Sequence, residues 1–442
     1  MTPTGTAITP SKLMGAEVKR KEDPRMITGA SQYVTDIALP GMLWVAFVRS
    51  PHAHARIRKI DASGALKVPG VRQVMTGDDI KKVAKALPPA SASAEGGAST
   101  GAPGRQHWAL STEVVRHVGE AVAAVIAESD YAAHDGVEAV QVEWEPLPAV
   151  TDVWKALDKG APQLHPDAPG NIEHQTPIKN GDVDGAFAKA KHVIKQRIVS
   201  QRLCGVSMEP RACVAAPEGV SGGIVVYATH QAPHALRFDL ANVLGMDANL
   251  IHVVNPDMGG GFGIKFGCYP EDVVLAALAR KFKTPLKWVE TRIEHMLATT
   301  HGRDQTADME VAVQDDGTID ALRMKVTANI GAYPVFTFIP DLTLFMGVGT
   351  YKFTTVDLSS TCVFTNTTSV AAYRGAGRPE AAYYLERMMD IIAAELKLKP
   401  EEVRRKNFIP PSAFPYATPT GQNYDSGEYD KALTEALRIA RV

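Results

Sequence analysis

The chain has 442 residues, of which 45% are hydrophobic and 22% are charged, as in globular proteins with two or three domains. Its formal net charge of -2 argues against a basic surface for a phosphate backbone, so we expect no nucleic-acid partner. No run reaches the ~20 apolar residues that cross a bilayer, and residues 1–13 lack the apolar core of a secretion signal. We therefore expect a cytoplasmic protein without a membrane span.

The four cysteines are spread along the chain without a CxxC pair, at Cys204, Cys213, Cys268 and Cys362. This spacing argues against a zinc finger or an iron–sulfur cluster formed by this chain alone. We expect the four thiols to be buried structural side chains.

The pattern of residues 15–150 predicts a domain of the α+β class. Residues 42–48 form a run of β-branched and aromatic side chains, and residues 121–127 and 140–144 are further strand signals. A helix is predicted near residues 129–138, between the last two strands. We expect these elements to form one module.

Two segments of low apolar content interrupt the pattern. Residues 88–104 are small, Gly- and Pro-containing residues that cannot bury enough apolar surface to order themselves, which predicts a mobile surface loop. Residues 151–180 contain four prolines and are predicted to form an extended linker between two domains.

Residues 181–442 show strands and helices that alternate, a pattern typical of α/β structure. We predict strands over residues 224–229, 250–254 and 286–290, and helices that begin at Pro233, Pro270 and Pro379. The helix after Pro233 has an apolar stripe and ends at Gly245. A last helix is predicted over residues 426–441.

A glycine-rich turn at residues 257–265 lies between a predicted strand and the helix from Pro270. Only Phe262 has a Cβ atom between Gly259 and Gly263, so the backbone can adopt positive φ and offer successive N–H groups to an anion or oxo ligand. A tight turn without a ligand is the alternative. The spacing fits neither GxGxxG nor a P-loop, which argues against nicotinamide and ATP.

A second small-residue turn at residues 373–380 also leads directly into a helix. Helix starts present unpaired backbone N–H groups and favour anions. The two turns could therefore face one anionic ligand.

In their order and spacing, several segments resemble the large subunit of the molybdenum hydroxylases, the xanthine oxidase and aerobic carbon monoxide dehydrogenase superfamily. Residues 20–29, 39–43 and 49–57 resemble the opening of the family's α/β hammerhead domain. Similarity to the first half of its molybdopterin-binding domain lies at residues 208–211, 231–234, 259–263 and 372–377. The resemblance implies a hammerhead domain over residues 15–150 and the first part of the cofactor domain over residues 181–442.

The resemblance implies a cofactor site made of Gln231, Gly260, Gly261, Phe262, Gly263, Arg374 and Gly375. Gln231 matches the family glutamine whose amide donates to an oxo ligand of molybdenum. Phe262 and Gly263 match the turn whose backbone approaches the apical oxygen, and Arg374 matches a residue at the metal centre. Gln231, Phe262 and Arg374 are therefore expected around molybdenum without being direct side-chain ligands.

Four positions depart from the better-known members of the family. Gly375 stands where carbon monoxide dehydrogenases carry the cysteine that holds copper. Phe266, Leu342 and Ala376 stand where xanthine oxidases carry a glutamate, an arginine and a phenylalanine. We expect these three residues to line a substrate pocket that is too apolar for a purine and suits an apolar heteroaromatic ring, a ketone-bearing aromatic or an aldehyde.

The family's catalytic glutamate belongs to a GxGE motif that the resemblance places beyond Val442, so we expect no catalytic residue in this chain. Glu120 follows Val118 and Gly119 in a similar pattern, but the residues after it match a hammerhead strand, so we expect a structural role. The second half of the cofactor domain is expected to be absent and to be needed for activity.

If that half completes the site, the resemblance implies hydroxylation with water-derived oxygen at molybdenum held by molybdopterin cytosine dinucleotide. Electrons are expected to leave through a small subunit with [2Fe–2S] clusters and a medium subunit with FAD. Two alternatives stay open: a large subunit similar to carbon monoxide dehydrogenase, and an inactive cofactor-binding remnant.

Overall fold

A computed structural model describes residues 16–87, 105–220 and 222–441. The predicted mobile loop at residues 88–104 lies outside the described residues. Within the described ranges, no helix combines the length and apolar character that a bilayer crossing requires.

Twelve α-helices lie in the described ranges, and they are numbered in chain order. They are α1 Asp23–Ile27, α2 Gly77–Ile80, α3 Asp130–Ala139, α4 Val153–Ala156, α5 Val183–Lys189, α6 Pro233–Leu244, α7 Pro270–Phe282, α8 Arg292–Ala298, α9 Ile339–Phe345, α10 Arg378–Leu396, α11 Pro400–Asn407 and α12 Tyr429–Ala440.

The strands are numbered in the same way. They are β1 Leu43–Arg49, β2 Ala55–Asp61, β3 Val71–Thr76, β4 Val114–Val115, β5 Ala121–Ala127, β6 Gln141–Pro146, β7 Ile172–Asn180, β8 His192–Ser200, β9 Leu203–Cys204, β10 Ala212–Glu218, β11 Gly223–Ala228, β12 Ile251–Val254, β13 Leu286–Val289, β14 His301–Gly302, β15 Gln305–Val313, β16 Ile319–Gly331, β17 Val356–Phe364, β18 Tyr416–Ala417 and β19 Asn423–Tyr424.

A seven-stranded sheet in the order β12-β11-β10-β13-β1-β5-β3 connects the two halves of the chain. Strand β1 pairs antiparallel with β5 and parallel with β13, where Leu43 lies opposite Leu286. Strands from before and after residue 150 therefore share one hydrogen-bonded sheet. A three-stranded sheet, β4-β2-β6, completes the first half.

Helices α6 and α7 pack on this sheet through one apolar core. Leu236 and Leu240 of α6 are buried together with Leu275 and Leu278 of α7, against Trp288 of β13. The stripe predicted after Pro233 is thus explained by packing, and α6 ends where Gly245 adopts a φ of 60°.

A five-stranded sheet in the order β7-β17-β16-β15-β8 forms the second unit, covered by α10. Tyr384, Met388 and Ile392 of α10 are buried in its core. The first glycine-rich turn lies between β12 and α7, and the second lies between β17 and α10. The two turns therefore extend from different sheets.

The structure differs from the predicted linker over part of residues 151–180. Strand β7, Ile172–Asn180, pairs antiparallel with β17 along most of its length, from Asn180 opposite Val356. Pro177 is tolerated there because β7 is an edge strand, where a missing N–H group need not break the ladder. Of the four prolines that predicted a linker, only Pro177 lies within β7, and it is compatible with an edge strand.

A buried ion network lies where β1, β10, β13 and α7 meet. Arg211 Nη1 donates to Glu271 Oε2 at 2.9 Å, and its Nη2 donates to Glu290 Oε1 at 2.7 Å. Arg49 Nη2 donates to the other oxygen of Glu271 at 2.8 Å. Burial alone would raise the pKa of Glu271, but the charges of Arg211 and Arg49 outweigh it and lower the pKa to about 2. The network therefore links the first half of the chain to α7.

We expect Arg211→Met to lower the free energy of unfolding by about 3–5 kcal/mol, because Glu290 and one oxygen of Glu271 would stay buried without the positive charge of Arg211. Denaturant titration of the full chain measures this change. Arg197→Met, which removes the exposed ion pair with Asp308, is the control and should have a much smaller effect. Equal losses in the two variants would contradict the role assigned to the network.

Candidate functional site

The first glycine-rich turn is closed by the side chain of Gln231. Its Oε1 accepts a hydrogen bond from Gly263 N at 2.7 Å, and its backbone N donates to Lys265 O at 2.8 Å. A Cβ atom on Gly261 would lie 2.5 Å from Gln231 Oε1, so only glycine fits beneath the amide. Gln231 and the turn therefore form one unit.

His230 links the backbone next to Gln231 to Gly267, just beyond the first turn. Its Nδ1 accepts from Ala232 N at 3.0 Å, and its Nε2 lies 3.0 Å from Gly267 O, to which it can donate. Burial lowers the pKa of His230 to about 4, so the imidazole is neutral at neutral pH and can make both contacts.

A buried ion pair supports the first turn from beneath. Lys265 Nζ donates to Glu209 Oε2 at 2.9 Å, and the same oxygen accepts from Gly259 N at 2.8 Å. The Lys265 side chain has 0% exposure. Burial lowers the pKa of Lys265, while Glu209 opposes that shift. The ion pair connects both ends of the turn.

The second turn lies directly against the first. Arg374 N donates to Phe262 O at 2.8 Å, and the Arg374 guanidinium lies 5.7 Å from the centre of the Phe262 ring. Gly263 has a φ of +100°, and a Cβ atom there would lie 2.4 Å from Ala372 O. The structure thus brings together the predicted residues of both turns.

Several hydrogen-bond donors at this junction have no partner within the described part of the chain. They are the backbone N–H groups of Gly260, Gly261 and Phe262, the amide nitrogen of Gln231, and the guanidinium of Arg374. Gln231, Phe262 and Arg374 are exposed. Unpaired donors beside a cation suit an anionic oxygen ligand, which is the chemistry that molybdenum-oxo groups and phosphates present.

An apolar surface adjoins the second turn. The predicted pocket residues Phe266, Leu342 and Ala376 pack in one cluster around buried Phe336 and Ile339. The rings of Phe266 and Phe336 have centroids 5.5 Å apart. The structure therefore brings these three residues together, although they are distant in sequence.

Charged residues beneath the turns are absent from the set predicted from sequence. They are Glu209 and Lys265 under the first turn and Arg303 and Glu380 under the second. Glu209 and Glu380 lie inside motif segments, but a charged residue next to a turn is usually solvated. Only the burial of these two carboxylates in the structure indicates that they support the turns.

Comparison with known proteins identifies both parts of the chain. Residues 28–148 match the family described as aldehyde oxidase and xanthine dehydrogenase, a/b hammerhead domain. Residues 164–408 match the family described as molybdopterin cofactor-binding domain. These matches confirm the predicted fold class and the order of the two domains.

Relatives with curated functions are similar over almost the whole chain. Subunit gamma of the 6-hydroxypseudooxynicotine dehydrogenase complex of Paenarthrobacter nicotinovorans is 36% identical over 435 residues, which cover 97% of this chain and 54% of that protein. The carbon monoxide dehydrogenase large chain of Afipia carboxidovorans is 36% identical over 442 residues, covering 96% and 53%. The chain thus spans about half the length of these relatives.

Solved structures show the same similarity. Quinoline 2-oxidoreductase from Pseudomonas putida 86 has a TM-score of 0.89 and 33% sequence identity, covering 97% of this chain and 54% of that chain. The reconstituted carbon monoxide dehydrogenase from Oligotropha carboxidovorans has a TM-score of 0.88 and 35% identity, covering 96% and 54%.

Gly263→Ala tests the contact between the two turns. The added methyl group would meet Ala372 O, so we expect a loss of unfolding free energy greater than about 2 kcal/mol and faster hydrogen exchange at the Arg374 amide. Gly245→Ala is a matched control, because Gly245 also has positive φ but nothing lies within 4 Å of its added Cβ. It should cost about 1–2 kcal/mol and leave Arg374 protected. The contact is refuted if both variants behave alike.

Proposed function

Because the chain belongs to the molybdopterin cofactor-binding family with an aldehyde oxidase and xanthine dehydrogenase hammerhead domain, we propose that it forms part of a molybdenum hydroxylase. The proposed reaction inserts water-derived oxygen into an apolar heteroaromatic ring, a ketone-bearing aromatic or an aldehyde. The junction of the two glycine-rich turns beside the apolar cluster of Phe266, Leu342 and Ala376 carries this proposal.

The residues at the junction fit a molybdenum cofactor. Gln231 Oε1 already accepts a hydrogen bond from Gly263 N. The amide nitrogen of Gln231 is therefore the group left to donate to a ligand. We propose that this nitrogen and the unpaired N–H groups of Gly260, Gly261 and Phe262 would hold the anionic cofactor by donating hydrogen bonds to it. Gly375 borders the site. We propose molybdopterin cytosine dinucleotide as the form of the cofactor.

In this proposal, the residues of this chain bind and orient the cofactor and the substrate, and they transfer no protons. When bound, the cofactor supplies a Lewis-acidic metal that can accept two electrons. Arg374, exposed beside Phe262, places a positive charge at the junction and opposes the negative charge of the bound group. The apolar cluster excludes water from one side of the substrate and orients a flat ring by contact with Phe266.

We propose that the catalytic base and the electron carriers come from elsewhere in the assembly. The resemblance assigns the base to a glutamate in the second half of the cofactor domain, so activity needs that half. It assigns electron transfer to an iron–sulfur small subunit and an FAD-binding medium subunit. Names such as subunit gamma and large chain among the relatives support a complex of several subunits.

The apolar cluster supports the proposed class of substrates. A purine carries polar groups that need partners when they are buried, and Phe266, Leu342 and Ala376 have apolar side chains that offer none. Two of the similar proteins are named for 6-hydroxypseudooxynicotine and quinoline. These names agree with a substrate that has an aromatic ring.

Gly375 favours this proposal over carbon monoxide oxidation at a copper-containing centre. Its φ is +110°, and a Cβ atom there would lie 2.5 Å from Pro379 Cγ. A cysteine at this position would require the turn to change shape. We therefore propose a centre without copper.

The first experiment measures molybdenum and copper in the chain purified together with the second half of the cofactor domain and the partner subunits from a host that makes the cofactor. We expect molybdenum in stoichiometric amount and no copper. Gln231→Ala should reduce molybdenum retention about tenfold or more, because an oriented donor to the metal's ligands is lost. Gln175→Ala, which removes an exposed amide on β7, is the control and should retain the metal. A wild-type complex without molybdenum would refute the proposal and support an inactive remnant.

The second experiment compares substrates in the assembled complex. We expect turnover of quinoline or benzaldehyde and none of xanthine. Phe266→Ala should raise KM for the aromatic substrate about tenfold, because the ring loses an apolar contact. Phe238→Ala, on the exposed side of α6, should leave KM unchanged. Rapid turnover of xanthine with no turnover of the apolar compounds would refute the proposed pocket.

A further inference from the structure

Arg303 holds the backbone of the second turn at two points. Its Nη1 donates to Tyr373 O at 2.6 Å, and its Nη2 donates to Arg374 O at 3.2 Å. Its guanidinium lies 5.1 Å from the centre of the Tyr373 ring. The planar fork of an arginine can contact two neighbouring carbonyl groups at once, which the single ammonium of a lysine does less well.

The backbone at Arg303 is held in an uncommon conformation. Arg303 has a φ of 65° and Asp304 has a φ of 62°, so two successive residues with side chains adopt left-handed geometry. Such conformations cost free energy and persist where the surrounding structure determines them. Arg202 Nε donates to Asp304 Oδ2 at 2.7 Å and helps to hold this segment.

Glu380 supplies a buried negative charge next to Arg303. It lies in the first turn of α10, its side chain has 0% exposure, and its Oε1 is 3.7 Å from Arg303 Nη1. Neither carboxylate oxygen has a hydrogen-bond partner among the residues that the structure describes. Burial raises the pKa of Glu380, and the positive charge of Arg303 opposes that shift. The hydrogen bonds of Arg303 thus go to the turn, while Glu380 acts on it only through charge.

Close packing fixes Tyr373 from the other sides. A Cβ atom on Gly302 would lie 2.4 Å from Tyr373 Cβ, and one on Gly205 would lie 2.9 Å from its Cδ2. Tyr373 therefore cannot move toward Gly302 or Gly205 without displacing the backbone there. Arg374, the next residue, remains exposed beside Phe262.

We propose that Arg303 is a positioning residue for the cofactor site, with Glu380 as its buried counter-charge. It fixes the carbonyl groups of Tyr373 and Arg374, and thereby sets where the Arg374 guanidinium stands relative to Phe262. This inference rests on the proposed function, because it assigns Arg303 to a site that holds a molybdenum cofactor.

Amide hydrogen exchange in the full chain tests the positioning without any cofactor. Arg374 N donates to Phe262 O and Ala376 N donates to Tyr373 O, so both amides should be protected in the wild type. Arg303→Met should raise exchange at both amides about tenfold, because two hydrogen bonds from a charged group are lost. Arg303→Lys should give a smaller increase, since it retains the charge beside Glu380.

Arg323→Met is the matched control for these variants. Arg323 of β16 is also partly buried and donates to Glu310 and Asp184, but it makes no contact with Asp304, Tyr373 or Arg374. It should leave exchange at Arg374 and Ala376 unchanged. Unchanged exchange in Arg303→Met, or an equal increase in Arg323→Met, would overturn the inference.

The loaded complex provides a second and independent measurement. Arg303→Met and Glu380→Gln should change the electron paramagnetic resonance spectrum of the molybdenum, whereas Arg323→Met should not. Faster exchange with an unchanged spectrum would refute a role at the cofactor site. A wild type that binds no molybdenum would refute the proposed function, and the exchange experiment would still decide whether Arg303 holds the turn.

Discussion

The close contact between two glycine-rich turns is the constraint on which the rest of the site depends. Gly263 approaches Ala372 O so closely that a side chain at position 263 would separate the two turns. One backbone hydrogen bond, from Arg374 N to Phe262 O, joins the two segments at this point. Exposed donors from both turns can face a single ligand only because the backbones are in contact.

Each turn is held from beneath by buried charge. Lys265 and Glu209 support the first turn, and Arg303 with Glu380 supports the second. Burying charge costs free energy that an apolar core would not, so these pairs do not explain stability. Their consequence is geometric, because a buried charge that contacts the backbone restricts where that backbone can lie.

The two sheets place the turns at their meeting point. The first turn follows a strand of the seven-stranded sheet, and the second precedes the helix that covers the five-stranded sheet. In the larger sheet, Arg49, Arg211 and Glu271 link strand β1 to the start of α7, just after the first turn. The hammerhead domain therefore contributes to the rigidity of the cofactor-binding domain, although it supplies none of the predicted cofactor residues.

Local patterns in the sequence determined the elements and the glycine positions. The strand at residues 121–127 and the helices from Pro233 and Pro270 form where their periodicity and prolines predict them, because these signals act between near neighbours. The glycines at 261 and 263 indicate that another part of the chain comes close, since only glycine leaves room for it. The tertiary structure decided which groups these are, namely the Gln231 amide and Ala372 O. Lys265 meets Glu209 across 56 positions, and Arg303, between β14 and β15, meets Glu380 of α10. The free energy of such pairs depends on burial that no local pattern encodes.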